Sequence, residues 1–215
     1  MNTLLAIQSN ALILIGGGDH ARVIAEAAAS RPGAHLILGF VDPHECGQLT
    51  AQTGIMRLGD DAALEAYQTA YGVIALGALH QWRQRTAIAE RLDQKLAGWA
   101  TIVHAAAWIS PTATVGPGTV VMAGAVVQTG AQVGAHCVIN SGAVVEHDVV
   151  VGDNVHVAPR AAIGGGARVG NDTYIGLGAA LRDHIEIGSQ VVVGMGAVVT
   201  RNVPDGQTVV GVPAR

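Results

Sequence analysis

Residues 120–159 read VVMAGAVVQTGAQVGAHCVINSGAVVEHDVVVGDNVHVAP, and their rhythm decides the fold. Every sixth residue is aliphatic. Extended in both directions, positions 109, 115, 121, 127, 133, 139, 145, 151, 157, 163, 169, 175, 181, 187, 193 and 199 all carry Ile, Val or Leu. With those residues at roughly a quarter of positions, chance would give such a run about once in 10^9 trials or less. Four places after the aliphatic stands a small or β-branched residue, as at Ala113, Thr119, Ala125, Ala131, Cys137 and Ala143. Glycine often follows the aliphatic directly, as at Gly116, Gly134, Gly152, Gly164, Gly170, Gly176, Gly188 and Gly194. Six residues make one short strand and a corner. Three such sides make a coil of about eighteen residues, and coils stack roughly 4.8 Å apart through strand hydrogen bonds. The rhythm therefore predicts a parallel β-helix, a thin triangular prism with one aliphatic pointing inward per side. The period alone does not set its handedness.

The composition agrees. Half of the 215 residues are hydrophobic, but aromatics are only 3% and glycines number 29, as a narrow repetitive core requires. Only one aromatic, Tyr174, lies between 109 and 204. A net charge of −4 disfavours nucleic acid as a partner, because phosphate backbones select basic surfaces. Cys46 and Cys137 form no CxxC pair, which fits a reducing cytoplasm better than a disulfide framework or a zinc ribbon. The start, Met1 to Ala11, has no basic segment, and the run Ala11–Ile15 is too short to span a bilayer, so neither signal peptide nor membrane anchor is expected.

Ahead of the repeat the pattern changes. Leu12–Ile15 is a buried strand that ends in Gly16-Gly17-Gly18, and 19–30 (DHARVIAEAAAS) reads as a helix with Asp19 near its cap. Leu36–Val41 and Gly72–Leu76 are further strands. Asp60–Ala70 and His80–Leu96 are helical in composition. The β-α-β order implies a small parallel, Rossmann-like sheet over residues 1–103, with the β-helix over 104–215. Backbone N–H groups of Gly16, Gly17, Gly18, Asp19 and His20, between strand and helix, can hold a diphosphate. The spacing is not G-x-G-x-x-G, and the region is short for a dinucleotide domain, which disfavours an NAD-dependent oxidoreductase.

Within the repeat, His147 lies two places after the inward Val145 and should point outward, with Asp148 beside it. An imidazole oriented by a carboxylate can act as a general base, although an exposed histidine on a turn would look the same. Eighteen residues further stands Gly165, directly beside His147 in the next coil. Its bare N–H suits an oxyanion donor, or the run Gly164-Gly165-Gly166 simply eases a corner. Cys137 occupies a small inward position and reads as core, not nucleophile.

These hexads, the Gly-rich loop at 16–20, Glu146-His147-Asp148 and the closing Gly211-Val212-Pro213-Ala214-Arg215 resemble one branch of the hexapeptide-repeat acyltransferases. That branch comprises sugar acetyltransferases related to sialic acid O-acetyltransferase and to the N-acetyltransferases of UDP-4-amino-sugars and GDP-perosamine. The resemblance spans nearly the whole chain. It implies a left-handed β-helix, a homotrimer with sites between subunits, acetyl-CoA as co-substrate, no metal, and a cytoplasmic location. It implies His147 as base, Asp148 as the group that orients it, with Glu146 the second choice, and Gly165 as oxyanion donor. His156 implies a part in the site, in the groove between subunits. Gly176, Leu177, Gly194, Met195 and Gly196 match the cofactor-binding positions, and Arg182, Arg201 or Arg215 could meet CoA phosphates. The Gly-rich loop and Asp42 match the nucleotide-sugar contacts, though Asp19 replaces the family's glycine before His20. Residues 77–83 partly resemble a family loop ending in Arg.

The acceptor implied is the amino group of a nucleotide-linked amino-sugar. O-acetylation of sialic acid or a related sugar is the alternative. Two readings of other classes stay open: a γ-carbonic-anhydrase-like metal enzyme using His136, His147, His156 and His184, and a non-catalytic scaffold.

Overall fold

The structure is a computed structural model that describes residues 10–44, 47–77 and 84–215, the side chains of residues 47 and 48 excepted. The chain separates into two compact units, residues 1–105 and 106–215.

The first unit is built on a five-stranded parallel sheet. Its strands are β1 (Ala11–Ile15), β2 (Leu36–Val41), β3 (Arg57–Gly59), β4 (Tyr71–Ile74) and β5 (Gly98–Trp99), in the order β3-β2-β1-β4-β5. This is the order of a Rossmann-like half-sheet. The unbroken apolar run of β1 is explained by its central place: all five residues are buried. Helix α1 (Asp19–Ala29) buries Ala21, Ile24, Ala25 and Ala28, the i, i+3, i+4, i+7 stripe of an amphipathic helix. Two shorter helices follow, α2 (Gly47–Thr53) and α3 (Gln84–Leu92). The core gathers Ile13, Ile15, Val41, Leu64 and Leu92.

Three expectations need correction here. The stretch 60–70 contains only a 3-10 helix, Asp61–Ala66, started by the Asp60 carboxylate accepting the Ala62 N–H. Its apolar residues are too few for a continuous buried stripe, and within Asp61–Ala66 Leu64 alone is buried. The helix expected over 80–96 is α3 plus a 3-10 turn, Asp93–Lys95; positions 80–83 lie outside the described residues. Asp19 does not cap α1. The N-cap is Gly18, without a side-chain cap bond, and Asp19 faces solvent within 3.7 Å of Arg22.

The second unit is the prism. Its first face stacks the two-residue strands Trp108–Ile109, Val126–Val127, Val144–Val145, Ala162–Ile163, Ala180–Leu181 and Val198–Val199. The second face runs from Thr114–Val115 through Gln132–Val133, Val150–Val151 and Arg168–Val169 to Glu186–Ile187. The third includes Val120–Val121, Val138–Ile139, His156–Val157, Tyr174–Ile175, Val192–Val193 and Thr208–Val209. Up to Val199 each strand residue pairs with the one eighteen places on, Val127 with Val145 and Val145 with Ile163, and the last coil shortens the step to sixteen, Val193 with Val209. Cys137 is fully buried, its thiol 3.1 Å from the Gly152 carbonyl. The end of the prism is closed by 208–215: Val198 donates to the Gly211 carbonyl at 3.0 Å, and Ala214 donates to Val198 at 2.8 Å. Such a cover hides an otherwise open strand edge.

The glycine after the aliphatic has a steric cause. A Cβ on Gly170 would sit 2.5 Å from the Ser189 nitrogen and 2.6 Å from the Gly188 carbonyl carbon, so the next coil's backbone occupies that space. Gly170→Ala should lower the urea unfolding free energy by about 2 kcal/mol or more, since backbone cannot step aside. Gly206→Ala, at φ +71° but with nothing nearby, should cost only about 1 kcal/mol.

Candidate active site

From Pro117–Gly118 through Met195–Gly196 each corner of the prism is a two-residue turn whose second member has positive φ. Glycine fills that place in many coils, but Asp148 (φ +58°) and His184 (φ +55°) occupy it here. The corner between the first and second faces carries 147–148, then 165–166, then 183–184 in successive coils.

His147 stands on this edge with its side chain 53% exposed, as the outward reading expects. Its Nδ1 lies 3.0 Å from Asp148 Oδ2. Glu146 does a different job: its Oε2 accepts the His147 backbone N–H at 3.1 Å. The two carboxylates therefore fix ring and backbone separately. With Nδ1 engaged, Nε2 turns toward Gly165. A Cβ on Gly165 would lie 2.4 Å from that nitrogen. The ring fills the space that a side chain at 165 would need. Among the described residues no acceptor takes the Gly165 N–H, although its carbonyl accepts from His184 at 2.9 Å. The Asp148 hydrogen bond raises the His147 pKa above its ordinary value. Partial desolvation opposes it, and the Asp148 and Glu146 charges add to it.

The other expected contacts lie elsewhere on the prism. Gly176, Leu177, Gly194, Met195 and Gly196 belong to the corner between the third and first faces, a different edge from that of His147. Leu177 and Met195 project from it, Met195 being 78% exposed, and the Gly196 N–H donates to the Leu177 carbonyl at 2.8 Å. Glycine at 176 is required for stacking, since a Cβ there would meet Met195 nitrogen at 2.6 Å. His156 is on the third face, 4% exposed, its Nε2 3.3 Å from Asn140 Nδ2 and its ring 4.9 Å from that of Tyr174. One copy of the chain thus brings His147, Asp148 and Gly165 together and holds the other set on separate surfaces. His136, His147, His156 and His184 do not converge in one copy, and among the described residues no cluster of three or more His, Cys, Asp or Glu could hold a metal ion. No helix there is long and apolar enough to cross a membrane.

In the first unit the Gly-rich loop joins β1 to α1 as expected. The Gly17 N–H donates to Asp42 Oδ2 at 2.9 Å, and the His44 N–H to Oδ1 at 2.9 Å. Asp42 therefore braces the loop, and Arg57 in turn grips the Asp42 carbonyl through Nε and Nη2 at 3.0 and 2.8 Å. Gly18 has open space where a side chain would stand, so a ligand can approach its backbone. His20 packs against Gly77, whose Cβ would fall 2.7 Å from the ring. Burial, with the charge of Arg85 adding to it, pushes the His20 pKa down to about 4. Arg85 is itself buried, donating to the Ile74 and Leu76 carbonyls at 3.0 and 2.6 Å. Residues 78–83 of the loop expected to end in Arg, and Cys46, lie outside the described residues.

Sequence reasoning missed Arg57 and Arg85, which no motif marks. It also missed a second imidazole–carboxylate pair on the His147 edge, His184 Nδ1 to Asp183 Oδ2 at 3.1 Å. The eighteen-residue step from Gly166 would have found it.

A left-handed prism of hexapeptide coils behind a small α/β unit defines a transferase class. The model of bacterial transferase hexapeptide repeats matches residues 112–147 and 130–165, and that of the PglD N-terminal domain matches 11–92. The acetyltransferase domain of PglB from Neisseria gonorrhoeae, whose structure is also known with acetyl coenzyme A, is 34% identical with a TM-score of 0.88, over 96% of this chain and 98% of that one. PerB from Caulobacter crescentus, solved with CoA and GDP-perosamine, is 31% identical with a TM-score of 0.86, over 95% of this chain and 96% of that one. WeeI from Acinetobacter baumannii, 24% identical, shares the fold with a TM-score of 0.83, over 95% of this chain and 98% of that one. No curated protein sequence matches. The chain belongs to the hexapeptide-repeat acyltransferases that act on nucleotide sugars.

Two titrations test the electrostatics. In an NMR pH titration His147 should titrate above 6.5, and Asp148→Asn should move it downward. For His20, the unfolded chain binds a proton between about pH 6.5 and 4 that the folded chain refuses. Its stabilising contribution is therefore complete above about pH 6.5 and is lost as pH falls toward about 4, by up to about 3 kcal/mol. Urea midpoints from pH 7 to 4.5 should fall further for the wild type than for His20→Gln.

Proposed function

We propose that this chain transfers the acetyl group of acetyl-CoA to the amino group of a nucleotide-linked amino-sugar, by direct attack and without a covalent enzyme intermediate. The observation that carries this reading is the placement of His147 Nε2 over Gly165. A base and a bare backbone N–H on adjoining coils are the two groups an attacking amine and a developing oxyanion require. His147 accepts the proton as nitrogen attacks the thioester carbon. Asp148 holds the ring, and the Gly165 N–H receives the oxyanion. Among relatives above 30% identity are an acetyltransferase domain known with acetyl coenzyme A and an enzyme solved with CoA and GDP-perosamine, which supports donor and acceptor class alike.

The donor lies, in this proposal, along Gly176, Leu177, Gly194, Met195 and Gly196 of a neighbouring copy, with His156 contributing and Arg182, Arg201 or Arg215 meeting its phosphates. Two edges of one prism cannot both line one narrow cleft, so a second copy supplies the other edge, and the assembly in this proposal is the homotrimer that the family resemblance implies. Gly16, Gly17, Gly18, His20 and Asp42 hold the nucleotide part of the acceptor, with Asp19 turned away. The donor's compartment places the reaction in the cytoplasm.

Purified protein with acetyl-CoA should acetylate members of a panel of UDP- and GDP-linked amino-sugars and leave sialic acid and other hydroxy-sugars untouched; transfer to hydroxyl acceptors alone would overturn the acceptor assignment. His147→Ala should lower kcat/KM by roughly 10^2-fold or more with the fold intact. The base must be neutral, so kcat/KM should fall as pH drops below the raised His147 pKa, and Asp148→Asn should shift that acid limb to lower pH while slowing the reaction.

A further inference from the structure

Resting on the reading above, the geometry points to His184 as the acid that protonates the departing sulfur of CoA. Acyl transfer from a thioester to an amine involves two protons: the amine loses one and the thiolate gains one. In the reading above His147 takes the first, and the corner it faces offers a second imidazole for the other.

The corner Gly165–Gly166 lies between the coils of His147 and His184. A Cβ on Gly165 would strike His147 Nε2 at 2.4 Å; a Cβ on Gly166 would strike His184 Cδ2 at 2.9 Å and Nε2 at 3.0 Å. Two consecutive glycines thus each vacate room for one imidazole, the first arriving from the coil before and the second from the coil after. Each ring is held at Nδ1 by a neighbouring carboxylate, His147 by Asp148 at 3.0 Å and His184 by Asp183 at 3.1 Å, in opposite sequence order. His147 therefore directs Nε2 to the glycine corner, and His184 turns toward it the ring edge that carries Cδ2 and Nε2.

The separation suits the chemistry. Consecutive Cα atoms are 3.8 Å apart, so the two Nε2 atoms are no more than about 12 Å from each other. A tetrahedral centre whose nitrogen and sulfur each meet a ring at hydrogen-bond distance spans about 9 Å. The nucleophile then sits at the His147 end, the oxyanion at the Gly165 N–H, and the sulfur at the His184 end.

The step balances as follows. The amine nitrogen bonds to the carbonyl carbon and gives its proton to His147 Nε2, while the carbonyl electrons move onto oxygen. The oxyanion collapses, the C–S bond breaks, and sulfur takes its electron pair and a proton from His184 Nε2–H. The products are the amide and free CoA thiol. His147 has gained one proton and His184 has given one up, and exchange with solvent resets both.

The test compares acetyl-CoA with an acetyl aryl thioester, whose thiolate leaves without protonation. It uses wild type, His147→Ala and His184→Asn, the last because Asn tolerates positive φ. His184→Asn should lower kcat about 30-fold or more with acetyl-CoA, less than about threefold with the aryl donor, and leave KM for acetyl-CoA within about threefold. Asp183→Asn should show the same donor dependence more weakly. Equal losses with both donors, or no loss with acetyl-CoA, would overturn the role of His184 and leave the base intact. Undiminished turnover by His147→Ala would instead remove the parent reading.

Discussion

The second unit depends on one hydrogen-bonded step that, until the closing coil, sets each strand residue directly against the residue eighteen places on. The step leaves no freedom at the corners. Where the next coil's backbone passes close, as over Gly170, a side chain is excluded; where it does not, the facing side chain decides what fits. The same rule that builds the core therefore also builds the site. Gly165 and Gly166 are vacant so that His147 and His184 can be present.

This has a chemical consequence. In the proposed reaction, groups placed on such a ladder need little reorganisation when charge develops, which is the condition under which a fixed N–H stabilises an oxyanion best. The first unit works differently. Its Gly-rich loop is held by one carboxylate, Asp42, which takes the Gly17 N–H, and Asp42 is held in turn by Arg57. Two charged side chains thus do for a single loop what the repeat does for a whole prism.

The prism was legible because its signal is repeated in every coil, and chance cannot imitate it. His147, Asp148 and Gly165 were legible for the same reason: a period turns sequence distance into spatial distance. In the first unit each element speaks once. Tertiary contacts turned 60–70 into a short 3-10 turn around Leu64, and α2 and β3 left no periodic trace in their few residues. The bracing role of Asp42 was hidden because a backbone N–H from Gly17, distant in sequence, is its partner. Asp19 looked like a cap because capping residues cluster there, yet its carboxylate turned to Arg22 instead.

The adjacency of ring and amide can be tested at a single atom. Gly165 does not have positive φ, and the three atoms nearest to a Cβ there all belong to the His147 ring. Gly165→Ala should therefore fold and melt nearly as the wild type does, while its turnover with acetyl-CoA and the amino-sugar acceptor falls about 10^2-fold as the imidazole is pushed from the amide. Wild-type turnover by a folded Gly165→Ala enzyme would show that the two groups do not act together.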